Sequence, residues 1–274
     1  MDIADYAGEL PPSASLGPIV TMLRADIAGA PIDMYRRSVR SLLSYGDSST
    51  LNATPFLGRL LVLGLVSAAE GYFRGVLSAC IEMCPVAQAG ASAKQIHLGG
   101  LLWHGKTGFS RSAFEHTSLS SASDLKKVFR DYLSFELDDR TFKSMLEEFE
   151  TVCQIRHGIV HGDGLLPGRN AVLLDVPRFT TPVRITVGYA ELQEIAAVVT
   201  SLVATVNRQL FSEMCARWAI KWRNRADWAP ETEDKRFGEI WSAFHSREEA
   251  RTRRGRSQLT RARCMAEVRA EHSI

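Results

Sequence analysis

Apolar residues recur at three- and four-residue spacing along most of the chain, and this pattern predicts a mainly helical protein. The strongest repeat lies in residues 55–84. Its apolar positions are Leu60, Leu63, Val66, Ala69, Phe73 and Leu77. Thr54 and Pro55 are a suitable cap and first helical residue, and Pro85 stops the pattern. We therefore expect a long central core helix.

The same periodicity predicts helices before and after this one. Pro31 opens a helix that ends near residue 45, and Ser123 caps another that ends near Phe135. A third begins at Asp138 or Asp139 and ends in the run RHGIVHG, and a fourth covers residues 189–222. Residues 87–121 are rich in Gly, Ala and Ser, which indicates a short helix and a mobile connection.

Two short runs interrupt the helical pattern. Residues 170–176 and 182–187 are β-prone and are separated by a turn at Thr180 and Thr181, so they predict a small β-hairpin insertion. The expected fold class is mainly α. We divide the chain into a lead-in and helix (residues 1–53), a helical domain (54–229) and a basic helical C-terminal extension (230–274).

Composition is that of an ordinary globular protein, with 45% hydrophobic and 23% charged residues in 274. The net charge of +2 is too mild to mark a nucleic-acid binder, although arginines concentrate in residues 247–263. Five cysteines at scattered positions fit no zinc site or disulfide scaffold and favour the reducing cytoplasm. The first residues lack a secretory signal, and the apolar stretch 57–69 is too short to cross a membrane.

The run RHGIVHG concentrates the candidate chemistry. An arginine and two histidines near a helix end commonly satisfy terminal carbonyls and the helix dipole, which is a purely structural role. His157 and His161 are four residues apart, a spacing that can bring two metal ligands together, but HGIVH lacks the glutamate of HExxH and a third ligand. We expect no metal and no cofactor.

The run also resembles the R-x(4–6)-H motif of the HEPN superfamily, with Arg156 and His161 in the positions of its arginine and histidine. The most similar branch is the RiboL-PSP type, whose usual RN-x-x-x-HG has asparagine where this chain has His157. The stretch LVSAAEGYFRGVL, with Glu70 and Arg74, is similar to the second helix of such domains. The resemblance covers roughly residues 55–210.

The resemblance implies an antiparallel helical bundle and a metal-independent endoribonuclease that works as a homodimer with a shared active groove. It also implies a toxin or antiviral defence effector, with an antitoxin or regulatory protein as partner. Histidine chemistry suits proton transfer and arginine suits the phosphate charge, so Arg156 and His161 are the catalytic candidates. His157 and Glu70 are accessory candidates. The alternative is an inactive HEPN module that binds RNA, a nucleotide or a partner protein.

Helix geometry sets a condition on this pair. Positions five apart lie about 140° apart around an ideal helix, so Arg156 and His161 diverge on a straight one. Gly158 can loosen a helix that ends near Gly162 and so turn His161 back towards Arg156, or two protomers can complete the groove as the resemblance implies, and the two explanations are compatible.

A second basic region follows the long C-terminal helix. Arg217, Lys221, Arg223 and Arg225 alternate with Trp218, Trp222 and Trp228. Cations beside aromatic faces are typical of surfaces that bind unpaired RNA bases and phosphates. The competing interpretation is a tryptophan-anchored helix with a solvated basic side.

Overall fold

The structure, a computed structural model, describes residues 3–9, 13–105, 108–252 and 259–274, which form helices joined by short connections. The first six α-helices are α1 (Pro31–Leu43), α2 (Ser48–Ala53), α3 (Pro55–Met83), α4 (Pro85–Ala91), α5 (Leu98–His104) and α6 (Ala122–Leu133). They are followed by α7 (Asp139–His161), α8 (Gly168–Leu173), α9 (Tyr189–Ala216), α10 (Glu233–Phe244), α11 (Arg247–Thr252) and α12 (Arg261–His272). Short 3₁₀ helices lie at Ile3–Ala7, Ile19–Met22, Phe109–Phe114 and Pro230–Thr232, and a π-helix continues α9 at Arg217–Trp222.

Helix α3 is the centre of the fold, as the sequence pattern predicts. It packs against α1, α7, α9 and the 3₁₀ helix Phe109–Phe114. Glycines let α1 approach it closely and fix an antiparallel arrangement, since Gly64 faces Leu42 and Gly75 faces Pro31. The Phe73 ring then meets Phe129 and Phe149 edge-on at 6.1 and 6.3 Å, which joins α3 to α6 and α7.

One continuous cluster of buried side chains includes residues from all three predicted divisions of the chain. Ile32 represents the N-terminal part, Phe129 the central part, and Phe237 and Met265 the C-terminal extension. The C-terminal helices are also tied to α1, because the buried Asp33 accepts hydrogen bonds from the Ser246 hydroxyl and the Arg247 backbone. The predicted division of the chain into three parts, at residues 53 and 229, stays a prediction. Arg253, Arg254 and Arg256 of the basic tail lie outside the described residues.

The mainly α class is confirmed, but the β-hairpin prediction is wrong, because the described residues contain no strand. Residues 168–173 form α8, which packs on α7, and the second run pairs only through a single bridge between Leu165 and Arg184. The buried Asn170 side chain donates to the Gln154 Oε1 atom at 2.6 Å. This anchor holds the segment against α7 as a helix and overrides its local β propensity.

Smaller differences concern helix ends. Asp47 accepts a hydrogen bond from the Thr50 backbone N–H at 3.0 Å and caps α2. This short helix lies between the predicted helix that ends near residue 45 and the one that begins at Pro55. Ser121, not Ser123, caps α6 through the Asp124 backbone N–H. The sequence places good caps at both serines, and the tertiary fold selects one.

Two helices are long and apolar enough to cross a bilayer by length and composition alone, namely Pro55–Met83 and Tyr189–Trp222. Half of the most apolar window of the first is buried within the structure. The apolar part of α3 is thus longer than the stretch 57–69 suggested. Both helices pack against other helices, as core helices do, and the absence of a membrane partner stays a prediction.

Arg217 corrects the predicted RNA-binding surface. Its side chain is only 1% exposed and donates to the carbonyl oxygens of Leu133 and Ser134 at 2.8 and 3.0 Å. It also pairs with Glu213 at 2.6 Å. Because Leu133 and Ser134 end α6, Arg217 satisfies the terminal carbonyls of that helix and cannot reach RNA.

We predict that Arg217→Ala lowers the free energy of unfolding by about 3 kcal/mol, because it leaves buried carbonyl groups without a donor. Lys221→Ala is the matched control, since Lys221 is exposed and bonds to no described residue. Urea denaturation followed by circular dichroism measures both. Equal stability of the two variants would contradict this role.

Candidate active site

RHGIVHG lies in the last turns of α7. Asp138 caps the start of this helix by accepting from the Thr141 backbone N–H, and its apolar stripe packs against α3 and α9. Both glycines of the run are sites of close packing. A Cβ atom on Gly158 would lie 2.8 Å from Ile185 Cδ1, and one on Gly162 would collide with the Leu165 carbonyl oxygen. The glycines therefore allow the chain after the helix to fold directly back onto it.

The turn after α7 is held by two arginines. Arg59 of α3 donates to the Asp163 carbonyl oxygen at 2.9 Å, and Arg184 donates to the same oxygen. Asp163 and Gly164 both adopt left-handed backbone conformations, with φ of 49° and 81°. Because the turn returns the chain so sharply, it brings these two cations close to the end of the motif helix.

His157 and His161 lie side by side on the surface of α7. Their ring centroids are 4.4 Å apart with planes inclined by 46°, as the four-residue spacing predicts. Partial desolvation lowers the pKa of His157, and the nearby positive charges of His161, Arg156 and Arg169 lower it further. The lowered pKa strengthens the preference of His157 for neutral imidazole at neutral pH.

Arg156 is half-buried, and its guanidinium makes no hydrogen bond or ion pair with any residue in the described parts of the chain. It lies close enough to Cys153 to favour the thiolate, although burial and the charges of Glu150 and Glu70 together raise the pKa of that thiol. Half-buried cations are normally paired, because the lost hydration must be replaced. Arg156 is thus available to an external anion.

Glu70 does not pair with Arg156. Its carboxylate accepts from Arg74 Nη1 at 3.2 Å, one helical turn along α3. Arg74 also donates to the carbonyl oxygens of Phe114 and Thr117, so this ion pair anchors the connection before α6. The predicted accessory role of Glu70 as a partner of Arg156 therefore finds no contact in the structure.

The catalytic candidates diverge within one chain. Helix α7 runs through His161 and ends at Gly162, as predicted, but Gly162 has φ of −108° and does not turn His161 back. A regular helix leaves positions 156 and 161 about 140° apart, and the His161 ring packs against His157 instead. The predicted turning back of His161 at Gly162 is therefore not seen, and the groove shared between protomers stays a prediction.

Arg59, Arg169 and Arg184 belong to this cationic surface and were not among the sequence candidates. Arg169 is exposed and acts electrostatically on His157, while Arg59 and Arg184 flank the turn. Sequence offers a weak signal for Arg184, a lone charge within an apolar run. Nothing in the spacing of Arg59 links it to a turn more than a hundred residues away.

The second basic region is packed into the protein interior, and Trp218 and Trp222 are fully buried. Arg223 is half-buried between the Trp218 and Trp228 rings, at 4.9 and 5.3 Å from their centroids, and it pairs with Glu233. Arg225 is exposed but pairs with Asp227 at 2.8 Å. Of the four predicted RNA-binding residues, only Lys221 has an exposed charge without a partner among the described residues. The RNA-binding prediction for this region therefore lacks its aromatic platform, and the tryptophan-anchored alternative describes it better.

Within the described ranges, no three His, Cys, Asp or Glu side chains come together in a way that could hold a metal ion. No protein-family model matches the chain, and no curated protein or solved structure is significantly similar to it.

We predict that His157 titrates below an ordinary histidine, whose pKa is about 6.5. Arg156→Gln and Arg169→Gln should each raise its midpoint, because each removes a positive charge that opposes protonation. Arg140→Gln, at the other end of α7, should leave the midpoint unchanged. NMR titration of ¹³C-labelled histidine, with His157 assigned by substitution, measures all four chains. A wild-type midpoint at or above the ordinary value would refute the prediction.

Proposed function

We propose that this protein is a metal-independent endoribonuclease of HEPN type, with Arg156 and His161 as its catalytic pair. The observation that carries the proposal is Arg156, a half-buried cation with no partner among the described residues, beside two adjacent histidines. Arg169, Arg59 and Arg184 add positive charge around it. A polyanion with regularly spaced phosphates fits such a surface.

The chemistry requires a base, an acid and charge stabilisation. A neutral imidazole removes the proton of the ribose 2′-hydroxyl, and the 2′-oxygen then forms a bond to phosphorus. The bond from phosphorus to the 5′-oxygen breaks as that oxygen receives a proton, which leaves a 2′,3′-cyclic phosphate and a 5′-hydroxyl. Arg156 binds the phosphate oxygens as negative charge builds, and His161 transfers protons. His157, whose lowered pKa further favours the neutral imidazole, assists as an accessory base.

The active groove is shared between two protomers in this proposal. Arg156 and His161 face different directions on one helix, so a second copy is needed to bring an arginine and a histidine onto one phosphate. Apolar side chains beside the motif offer a contact surface for that copy. They are Val160, Leu165, Val172 and Leu173, between 39% and 80% exposed.

The setting follows from the same proposal. RNA and free thiols both fit the cytoplasm, and the described cysteines form no disulfide. An RNA-cleaving toxin or antiviral effector needs an antitoxin or regulatory protein to restrain it. The exposed apolar surface beside the motif would also suit such a partner.

A second candidate function rests on the divergence of Arg156 and His161. A chain that stays monomeric presents a cationic surface without an assembled catalytic pair. It would act as a silent module that binds RNA, a nucleotide or a partner protein. Binding without turnover distinguishes this candidate from the ribonuclease.

We predict that the purified protein cleaves RNA in EDTA and leaves 2′,3′-cyclic phosphate ends. His161→Ala and Arg156→Ala should each reduce the cleavage rate by about 100-fold or more, because each removes a proton-transfer group or the phosphate clamp. A fluorogenic RNA assay measures the rates, and circular dichroism checks the fold.

Matched controls come from the same residue types elsewhere. Arg140→Ala changes an exposed arginine on α7, and His116→Ala changes an exposed histidine before α6; both should cleave as wild type does. Full activity in both site variants would exclude the catalytic assignment. RNA binding without cleavage in the wild type would favour the binding module.

We further predict that co-expressed Arg156→Ala and His161→Ala chains recover activity. With two-fold symmetry, half of the dimers are heterodimers and one of their two active sites is intact, so about a quarter of the wild-type rate should return. Differently tagged chains, purified through both tags, allow the heterodimer to be assayed alone. No recovery in that purified heterodimer would show that one chain supplies both groups.

A further inference from the structure

A long groove lies between α1 and α3, on a side of α3 that α7 does not cover; we call it the α1–α3 groove. Its floor on α3 is made of small residues, namely Gly64, Ser67, Ala68, Gly71, Gly75 and Ser78. A Cβ atom added at Gly71 would meet nothing within 4 Å, so the floor is open there. The groove holds about 1280 Å³, which exceeds the roughly 300–1,000 Å³ of small-molecule pockets. Its size and shape fit a stretch of polypeptide.

Hydroxyl groups without partners line this groove. Ser78 is 4% exposed, and its Oγ atom has no hydrogen-bond partner. Ser38, Ser41, Ser67 and Ser242 also line the groove, and their exposed hydroxyls are open to solvent and form no hydrogen bond with any described residue. A buried hydroxyl left unpaired is costly and so indicates a missing partner. Peptide N–H and C=O groups of an extended chain are suitable partners.

The N-terminal arm, residues 16–27, is a polypeptide with the complementary need. Its large apolar side chains are exposed and belong to no buried cluster: Leu16 87%, Ile19 74%, Val20 66%, Met22 63%, Leu23 56% and Ile27 71%. Apart from one turn at Ile19–Met22 the arm has no regular structure, so most of its peptide groups are also unpaired. Such a density of exposed apolar side chains indicates a contact surface.

The arm leaves the protein at the rim of the α1–α3 groove. Asp26 and Gly29 line the groove, and Arg37 of α1 donates to the Ile27 carbonyl oxygen at 2.9 Å, which fixes the base of the arm. Within residues 16–27 only Asp26 lines the groove of its own chain, and the whole arm is exposed. Because arm and groove adjoin, two copies related by a two-fold axis can exchange arms reciprocally, and the assembly closes.

We propose that the α1–α3 groove binds the N-terminal arm of a second copy of this chain, in a reciprocal exchange of arms. The apolar side chains of the arm cover the small-residue floor, and its peptide groups pair with the serine hydroxyls. The groove carries charges of both signs, and one of its carboxylates, Glu239, has no partner among the described residues and suits Arg24 of the arm. The contact uses neither Arg156 nor His161.

The first test is the mass of the full chain in solution, measured by size-exclusion chromatography with light scattering. Ile19→Asp with Leu23→Asp should reduce the mass of the assembly to half or less, because charges in the arm cannot be buried in the groove. Both side chains are mostly exposed and lie outside the core cluster, so the folding of the monomer should be little affected. The control, Leu98→Asp with Leu102→Asp, places the same charges on exposed α5 positions and should keep the wild-type mass.

The groove is tested from its own side with Gly71→Phe, which fills the open floor. Gly99→Phe is the matched control, since a Cβ atom at Gly99 also meets nothing within 4 Å. Gly71→Phe should halve the mass and Gly99→Phe should not. Wild-type mass in both the arm variant and the groove variant would overturn the proposal. An assembly whose mass neither variant changes would overturn the arm exchange and leave the shared active groove standing, whereas a monomeric wild type would count against both proposals.

Cross-linking identifies whose arm occupies the groove. Met22→Cys and Gly71→Cys chains that carry different tags are mixed in the unfolded state and refolded together. Both chains also carry Cys264→Ser, because the other four cysteines are buried. Mild oxidation should join the arm cysteine of one chain to the groove cysteine of the other. A chain carrying both cysteines that forms only an internal disulfide would show that the arm folds onto its own groove, and would overturn the exchange.

Discussion

The burial of α3 is the constraint on which the rest of the structure depends. A helix of 29 residues that is apolar on most sides must be covered on most sides, and α1, α7 and α9 provide that cover. Its few charged residues lie where this cover is incomplete. Arg59 reaches the turn after α7, and the pair of Glu70 and Arg74 holds the connection before α6. Packing of the core thereby sets the position of the motif helix.

Electrostatics at the end of α7 follow from that position. The sharp return of the chain after Gly162 gathers arginines from α3 and from residue 184 around one carbonyl oxygen, and no carboxylate of the described residues pairs with Arg156. Partial desolvation lowers the pKa of His157, and the charges of His161, Arg156 and Arg169 lower it further. A surface of this kind binds anions, and the adjacent imidazoles supply the proton chemistry that the proposed ribonuclease needs.

The two proposals use opposite sides of α3. One concerns the exposed apolar residues beside the motif helix, and the other concerns the arm and the groove beside α1. Each pairs an unsatisfied group with its complement, a cation with a phosphate in one case and apolar side chains with an open floor in the other. Two independent self-contacts on one chain would give an assembly larger than a dimer.

The sequence by itself determined where the main helices lie and that Arg156, His157 and His161 sit at a helix end, because periodicity, caps and proline stops act locally. It could not determine which cations are free. Arg217 and Arg156 look alike in sequence, yet Arg217 is buried against the end of α6 and Arg156 has no partner among the residues that the structure describes. The helical form of residues 168–173 was likewise decided by contact with α7. Burial and pairing depend on which distant elements pack together, and only the tertiary structure sets that.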